Sequence, residues 1–456
     1  MRVRQFLTRH RWSLRLFAAV ACVYVISPAA MVGDSRMTLP TAISIYREVP
    51  NLAELEAGHD TVAANGHQLM GFPWPPALYL VPVVAVTDLV PGYDPAGLSI
   101  SNPNETWKYE LPMGALLTAS AVVIFAAAVR QPGARRTHAH RRTDLVVPLV
   151  FAFSTSMWSS TSRGLSQHAA AAPFVALVVY LTVKSRTRPA VVGPLGLVTA
   201  LAYIMRPTNA VLVVAVTVWV LVCHRTLLVR YLAWAAAAAV PFFVVNLVFY
   251  DAPMQTYYSG DSSGGMDALR NVPGHVSGLL VSPARGLLLF SPILVLVPLG
   301  VHRLWRARLL GSVEWLFLAI AVGLFSVAAL WPDWWGGSSY GPRLLIETLP
   351  FLCWFLVPVA DGLFSAREQH DTTRPRWQTR GATVAIAGLL ATGLFVHSQG
   401  ALLHASICWN TDPVPIEGNP YRLWDWSDPQ PLRGVHDLLD GQSLRHVAVG
   451  SCAEPA

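Results

Sequence analysis

The sequence predicts an all-α, polytopic membrane protein, and three observations carry that prediction. Of 456 residues, 53% are hydrophobic and 13% charged, about half the charged share of an ordinary soluble domain. Apolar runs recur from Leu14 to Gln399, each close to the ~20 residues that a helix needs to cross a hydrocarbon core. The arginines stand in short blocks between those runs, where the cytoplasmic preference of basic residues accounts for them. The net charge of +7 therefore reports topology, and nucleic-acid binding is set aside.

The N-terminal stretch MRVRQFLTRHRWSLRLFAAV is basic and then apolar, as in a signal peptide, with SPAA after it as a candidate cleavage site. The run is long enough to span and further spans follow, so it reads as a retained signal anchor. Basic blocks at Arg2–Arg15, Arg130–Arg142, Lys184–Arg188, His224–Arg230, His302–Arg308 and Arg367–Arg380 are assigned to the cytoplasm. Spans then fall near Leu14–Val32, Leu111–Val129, Leu145–Ser160, Ala169–Val183, Ala190–Met205, Ala210–Cys223, Tyr231–Tyr250, Leu287–Val301, Trp315–Trp331, Leu344–Ala360 and Ala382–His397. That makes about eleven transmembrane helices in a plasma membrane, with the N-terminus cytoplasmic and the C-terminus extracytoplasmic.

The apolar segment Phe72–Val90 does not fit this alternation. It holds Pro73, Pro75, Pro76 and Pro82, each of which removes a backbone donor, so it reads as re-entrant or juxtamembrane. The domain plan is a membrane domain over 1–398, with a long first external loop at 33–110, and a small external cap over 399–456. No tandem repeat is visible.

Arg36, Arg163, Arg206, Arg285 and Arg343 break the inside preference, each lying in an outer loop near a span end. A single such arginine reads equally well as one that reaches lipid headgroups. Five at one depth point to an anion site, because a planar guanidinium forms paired, charge-assisted bonds to phosphate oxygens. Asp34 follows the first span directly, where a carboxylate serves either as a general base towards a hydroxyl or as a solvated helix exit. Glu54, Glu56, Asp60 and His67 share its loop. Asp34, Asp60 and His67 are the candidate ligands for a divalent cation, although their spacing matches no strong metal motif.

In WWGGSSYGPRLL, Trp334, Trp335 and Tyr340 offer flat faces to a substrate or form an interfacial aromatic belt. His168, in SRGLSQH, touches a substrate or caps its helix. Asp333 and Glu347 bracket the WWGG loop. Glu347 lies inside an apolar run, where an ionisable group is a functional candidate or an arginine's partner. In the tail, Trp409, Trp424 and Trp426 line a groove or pack against the membrane domain. Cys408 and Cys452 fall outside the membrane, where a disulfide is expected.

The strings GDSR, NGHQLMGFPWPPALYLVP, SRGLSQH, RPTN, SPARGLLLFSP and WWGGSSYGPRLL, in this order, resemble the polytopic GT-C glycosyltransferases. These use polyprenyl-phosphate sugars and include aminoarabinose transferases and protein mannosyltransferases. The resemblance implies an extracytoplasmic active site, with Asp34 as base and Arg36, Arg285 and Arg343 on the lipid phosphate; Arg163 and Arg206 join that set by their position. Where the mannosyltransferases carry an adjacent acidic pair, this chain has Asp34-Ser35, which turns the reading away from that branch. The implied reaction moves a sugar to an external glycan, lipid or protein acceptor with inversion. A transporter or flippase for a lipid-linked sugar is the alternative, but the polar residues gather at one face rather than at mid-membrane.

Overall fold

The computed structural model describes residues 2–31, 35, 38–48, 61–71, 73–91, 107–134, 140–255, 265–368, 376–449 and 452. Asp34, Arg36 and Asp60 lie outside the described residues, and His67 is described in its backbone alone. Among the described residues the regular structure is helical apart from one antiparallel hairpin, β1 (Thr61–Ala64) and β2 (His67–Met70), in which Thr61 faces Met70. The first helices are α1 (Arg2–Ile26), α2 (Thr38–Tyr46), α3 (Val81–Thr87), α4 (Trp107–Val129), α5 (Thr143–Phe153) and α6 (Ser156–Ser159). The middle of the chain forms α7 (Gln167–Ser185), α8 (Val192–Met205), α9 (Ala210–Cys223), α10 (Leu228–Tyr250), α11 (Gly265–Val281), α12 (Leu287–Phe290), α13 (Val297–Arg306) and α14 (Ser312–Leu330). Then come α15 (Leu349–Trp354), α16 (Val357–Glu368), α17 (Arg376–Leu402), α18 (Ala405–Cys408), α19 (Arg433–Leu439) and α20 (Leu444–Val449).

Among the described residues, six helices are long and apolar enough to cross a membrane: Lys108–Val129, Gln167–Ser185, Arg225–Tyr250, Ser312–Leu330, Arg343–Ser365 and Gly381–Leu402. A seventh arises if α5 and the following Ser156–Arg163 segment, bent by 43°, count as one span. The bend sits where Thr155 leaves the helix and turns its hydroxyl back to the Phe151 carbonyl, 2.5 Å away. Pro189–Met205 and Pro207–Cys223 are apolar but shorter. The expected span Leu287–Val301 is not one helix. It divides into α12, a tight turn over Pro292–Leu296, and α13, because Pro292 and Pro298 each lack a donor. Phe72–Val90 contains a tight turn at Pro75–Tyr79 and α3, whose seven residues are too few to span.

The bundle grows by neighbour packing: α1 on α4, α4 on α7, α7 on α8, and α8 on α10. By contrast, α10 exposes Val229, Val240, Val244 and Leu247, an apolar face suited to lipid and unfavourable in water. At the end of the bundle where α7 finishes, Arg186 pairs with buried Glu314 at 2.5 Å and donates to the Gly133 carbonyl at 2.8 Å. Glu314 also accepts from the Gly311 amide at 3.0 Å, so one carboxylate caps α14 and anchors α7.

Beyond α17 the tail folds as short helices and turns around Trp409, which is fully buried and donates to the Asp428 carbonyl at 2.8 Å. Arg422 stacks 4.3 Å over that indole and bonds the carbonyls of Trp409, Asp412 and Val414. Cys408 and Cys452 are disulfide-bonded, closing this unit. Trp424 and Trp426 remain exposed on it.

His404 lies beside the disulfide, its Nε2 3.7 Å from Cys452 Sγ, and burial pushes its pKa below the usual value. The folded tail therefore holds it neutral, whereas the unfolded chain takes up a proton near pH ~6.5. Its stabilisation is complete above that pH and is lost as pH falls towards the depressed folded value. The melting temperature should drop between about pH 7 and 5, and His404→Gln should flatten that slope. An identical slope in the variant would assign the effect to other groups.

Candidate functional site

Most polar residues of the candidate site stand where the sequence breaks a helix. Ser166 caps α7 by accepting from the Ala169 amide at 3.4 Å, which sets Gln167 and His168 in the first turn. Pro207 follows α8 and leaves Arg206 in extended backbone. Pro332 follows α14, and Pro342 precedes Arg343. These breaks surround one cavity of about 250 Å³. Thr38, Pro73 and Pro76 form one side, Gln167, His168, Arg206 and Thr208 the next, and Asp333, Gly336, Gly337 and Arg343 the third. Leu324, Ala328 and Trp331 supply an apolar wall.

His168 and Arg206, which line the cavity, form a buried triad with Glu347 behind them. His168 Nδ1 is 2.9 Å from Glu347 Oε1, and Arg206 Nη1 is 2.5 Å from His168 Nε2. These contacts are consistent together when Nδ1 carries the ring proton and Nε2 accepts from the guanidinium. Arg206 Nε also donates to Thr208 Oγ1 at 2.8 Å and lies 3.5 Å from Glu347 Oε1. Glu347 thus fixes both the imidazole and the guanidinium. Nη2 of Arg206 has no hydrogen bond within the described residues, so it is available to a ligand in the cavity that Arg206 lines.

Arg163 and Arg285, which the sequence placed in the same set, take different roles. Arg163 is fully buried and donates to the carbonyls of Tyr24, Ser27 and Ala29, satisfying the chain where α1 ends at Ile26. Arg285 is also fully buried. Its Nε donates to Trp335 O at 2.9 Å, Nη1 to Ala284 O and Gln430 Oε1, and Nη2 to Gly337 O and Asn410 Oδ1. All the donors of that guanidinium are used, so the expected phosphate contact at Arg285 is corrected to a structural one. The same correction applies to Arg163. Burial first, and then the charge of Arg343, lowers Arg285 to about 9, which still leaves it protonated at neutral pH.

The aromatic expectations need a similar correction. Trp334 is buried against Gly278, where an added Cβ would meet its indole at 2.2 Å. Tyr340 is fully buried and donates to the Val396 carbonyl at 2.6 Å. Neither lines the cavity, nor does Trp335, whose carbonyl serves Arg285. Trp331 lines it instead, as does Asp333. Gly336 and Gly337 have φ of 77° and 66°, a left-handed turn that glycine adopts without strain. Sequence reasoning left Trp331, Thr38 and Thr208 without a role; for Trp331 and Thr208 the available signal was their position beside the helix-ending Pro332 and Pro207, and for Thr38 its place at the start of a helix.

Among the described residues, His404, Cys408 and Cys452 are close enough together to hold a metal ion, but the two sulfurs are bonded to each other. Asp34, Asp60 and the His67 side chain, the sequence's cation ligands, lie outside what is described. No family model matches the chain, and no curated protein does so.

Gln430 is the counterpart of Arg285. Its Oε1 accepts from Arg285 and from the Gly341 amide, while Nε2 donates to Ser339 O at 2.8 Å and Ser406 O at 3.1 Å. Gln430→Leu strands buried partners on both sides and should lower unfolding free energy by about 3 kcal/mol. Thermal denaturation of the purified protein checks this; an unchanged midpoint would mean that the loop is held by other contacts.

Proposed function

We propose that this protein is an integral membrane glycosyltransferase that moves a sugar from a polyprenyl-phosphate donor to an extracytoplasmic acceptor. The observation that carries the reading is the convergence of Arg206 and Arg343 in one cavity, with His168 and Glu347 holding Arg206 from behind. Guanidinium groups at a departing phosphate stabilise the charge that develops as the sugar leaves, so the leaving group needs little protonation.

A second feature supports a lipid-borne donor. An apolar groove of about 450 Å³, lined by Thr41, Ile45, Leu69, Trp74, Leu78, Val245 and Phe249, runs beside the cavity. The two share α2 and the Pro73–Leu78 segment. The cavity itself falls just below the roughly 300–1,000 Å³ of sites for drug-sized ligands, which suits a head group rather than a whole lipid.

In this reading Asp34 takes the proton of the acceptor hydroxyl as it attacks the anomeric carbon from the face opposite the phosphate, giving inversion. Thr38, four residues further along the sequence, lines the cavity. Arg36 keeps its sequence assignment as a phosphate contact. The partners are the lipid-linked sugar, membrane lipid and a glycan, lipid or protein acceptor.

Membranes containing the protein are incubated with radiolabelled polyprenyl-phosphate sugars. Transfer of label to an acceptor supports the enzyme, and label that changes leaflet without transfer supports the flippase reading instead. Asp34→Asn should lower transfer at least ~100-fold with expression retained. Arg206→Ala and Arg343→Ala should each weaken donor binding by about tenfold or more. Normal donor affinity in both arginine variants would remove the cavity from the reaction.

A further inference from the structure

We infer that Asp333 is the sugar-recognising carboxylate of the cavity, accepting hydrogen bonds from vicinal hydroxyls of the donor sugar; this rests on the reading of the cavity as a donor site. Asp333 lines the same space as Arg206 and Arg343. The triad's carboxylate, Glu347, is occupied by His168 and Arg206. Within the described residues the Asp333 carboxylate has no ion-pair or hydrogen-bond partner, and the residue is exposed.

Its backbone is nevertheless fixed. The Asp333 carbonyl accepts from the Gly336 amide at 2.9 Å, and the next residue, Trp334, is wedged beside Gly278. Arg285 grips the carbonyls of Trp335 and Gly337 from beneath. On a turn held in this way only the side chain of Asp333 remains to be ordered on binding, which lowers the cost of engaging a ligand.

The chemistry of the cavity then assigns what Asp333 receives. The guanidinium groups are donors only and suit the phosphate. A sugar attached to that phosphate occupies the rest of the space, and its hydroxyls need acceptors. Asp333 offers two oxygens, enough for a bidentate pair of charge-assisted bonds to adjacent hydroxyls. Trp331, on the same lining, provides an indole for the C–H face of the ring.

The test measures affinity of the purified full-length protein for bare polyprenyl phosphate and for polyprenyl-phosphate glucose, mannose and arabinose. The wild type should bind at least one sugar-bearing lipid more tightly than the bare one. Asp333→Ala should erase that preference, a loss of roughly ten- to a hundredfold, and leave bare-lipid affinity unchanged. Asp333→Asn, which keeps one acceptor oxygen, should lose less, whereas Arg206→Ala should weaken all the lipids together. An equal effect of Asp333→Ala on bare and sugar-bearing lipids would overturn the inference, because Asp333 would then act on phosphate charge alone. Equal wild-type affinity for bare and sugar-bearing lipids would overturn it too. A wild type that binds none of the lipids would remove the donor-site reading itself, an outcome distinct from the others.

Discussion

A buried guanidinium with every N–H engaged is the constraint on which the cavity depends. Arg285 carries a charge that is fully buried, and such a charge is tolerated only when its donors find acceptors. Two acceptors come from the loop that forms the cavity's third side, two from the tail, and one from its own chain neighbour Ala284. Loop and tail are therefore held to each other through one side chain. Trp409 extends the same knot, with Arg285 5.6 Å above its ring and Arg422 at 4.3 Å.

Around that knot the site is assembled from helix ends. Helix interiors in a bilayer satisfy their own backbone groups and leave only apolar side chains for neighbours, so ligand chemistry concentrates where helices stop. His168, Arg206 and Arg343 all sit at such stops. Glu347 is the exception, inside the Arg343–Ser365 segment, and its charge is matched by Arg206 from another helix end. This division of labour gathers the cavity's charges at helix ends while α10 exposes an apolar face.

Much of this was legible in the sequence, and the parts that were not share a cause. Apolar length pointed to long apolar helices, six of which among the described residues could cross a membrane, and the prolines of Phe72–Val90 marked a segment whose helix, α3, is too short to do so. Arg206 and Arg343 were picked out together with Arg36, Arg163 and Arg285 by their position at loop edges, and His168 separately at a helix start; the structure brings Arg206, Arg343 and His168 to one cavity. What sequence pattern does not encode is which guanidinium meets carbonyls and which meets open space. Arg285 and Arg206 look alike in SPARG and MRPT, yet the first is enclosed by a tail more than a hundred residues away. Likewise the tryptophans of WWGG are adjacent to the cavity in sequence, but Gly278 on a separate helix opens the slot that takes Trp334 away from it. The divided Leu287–Val301 segment was misread for a local reason, since mean apolarity outweighed two prolines.

The pairing of Arg285 with Asn410 and Gln430 spans 125 and 145 residues. During synthesis the loop carrying Asp333 and Arg343 emerges long before the amides that clamp it. The clamp on that loop is consequently completed only after Asn410 and Gln430 have been made and folded back onto the helices. Any change to the segment around Asn410 and Gln430 therefore acts on the loop that lines the cavity, however remote it looks along the chain.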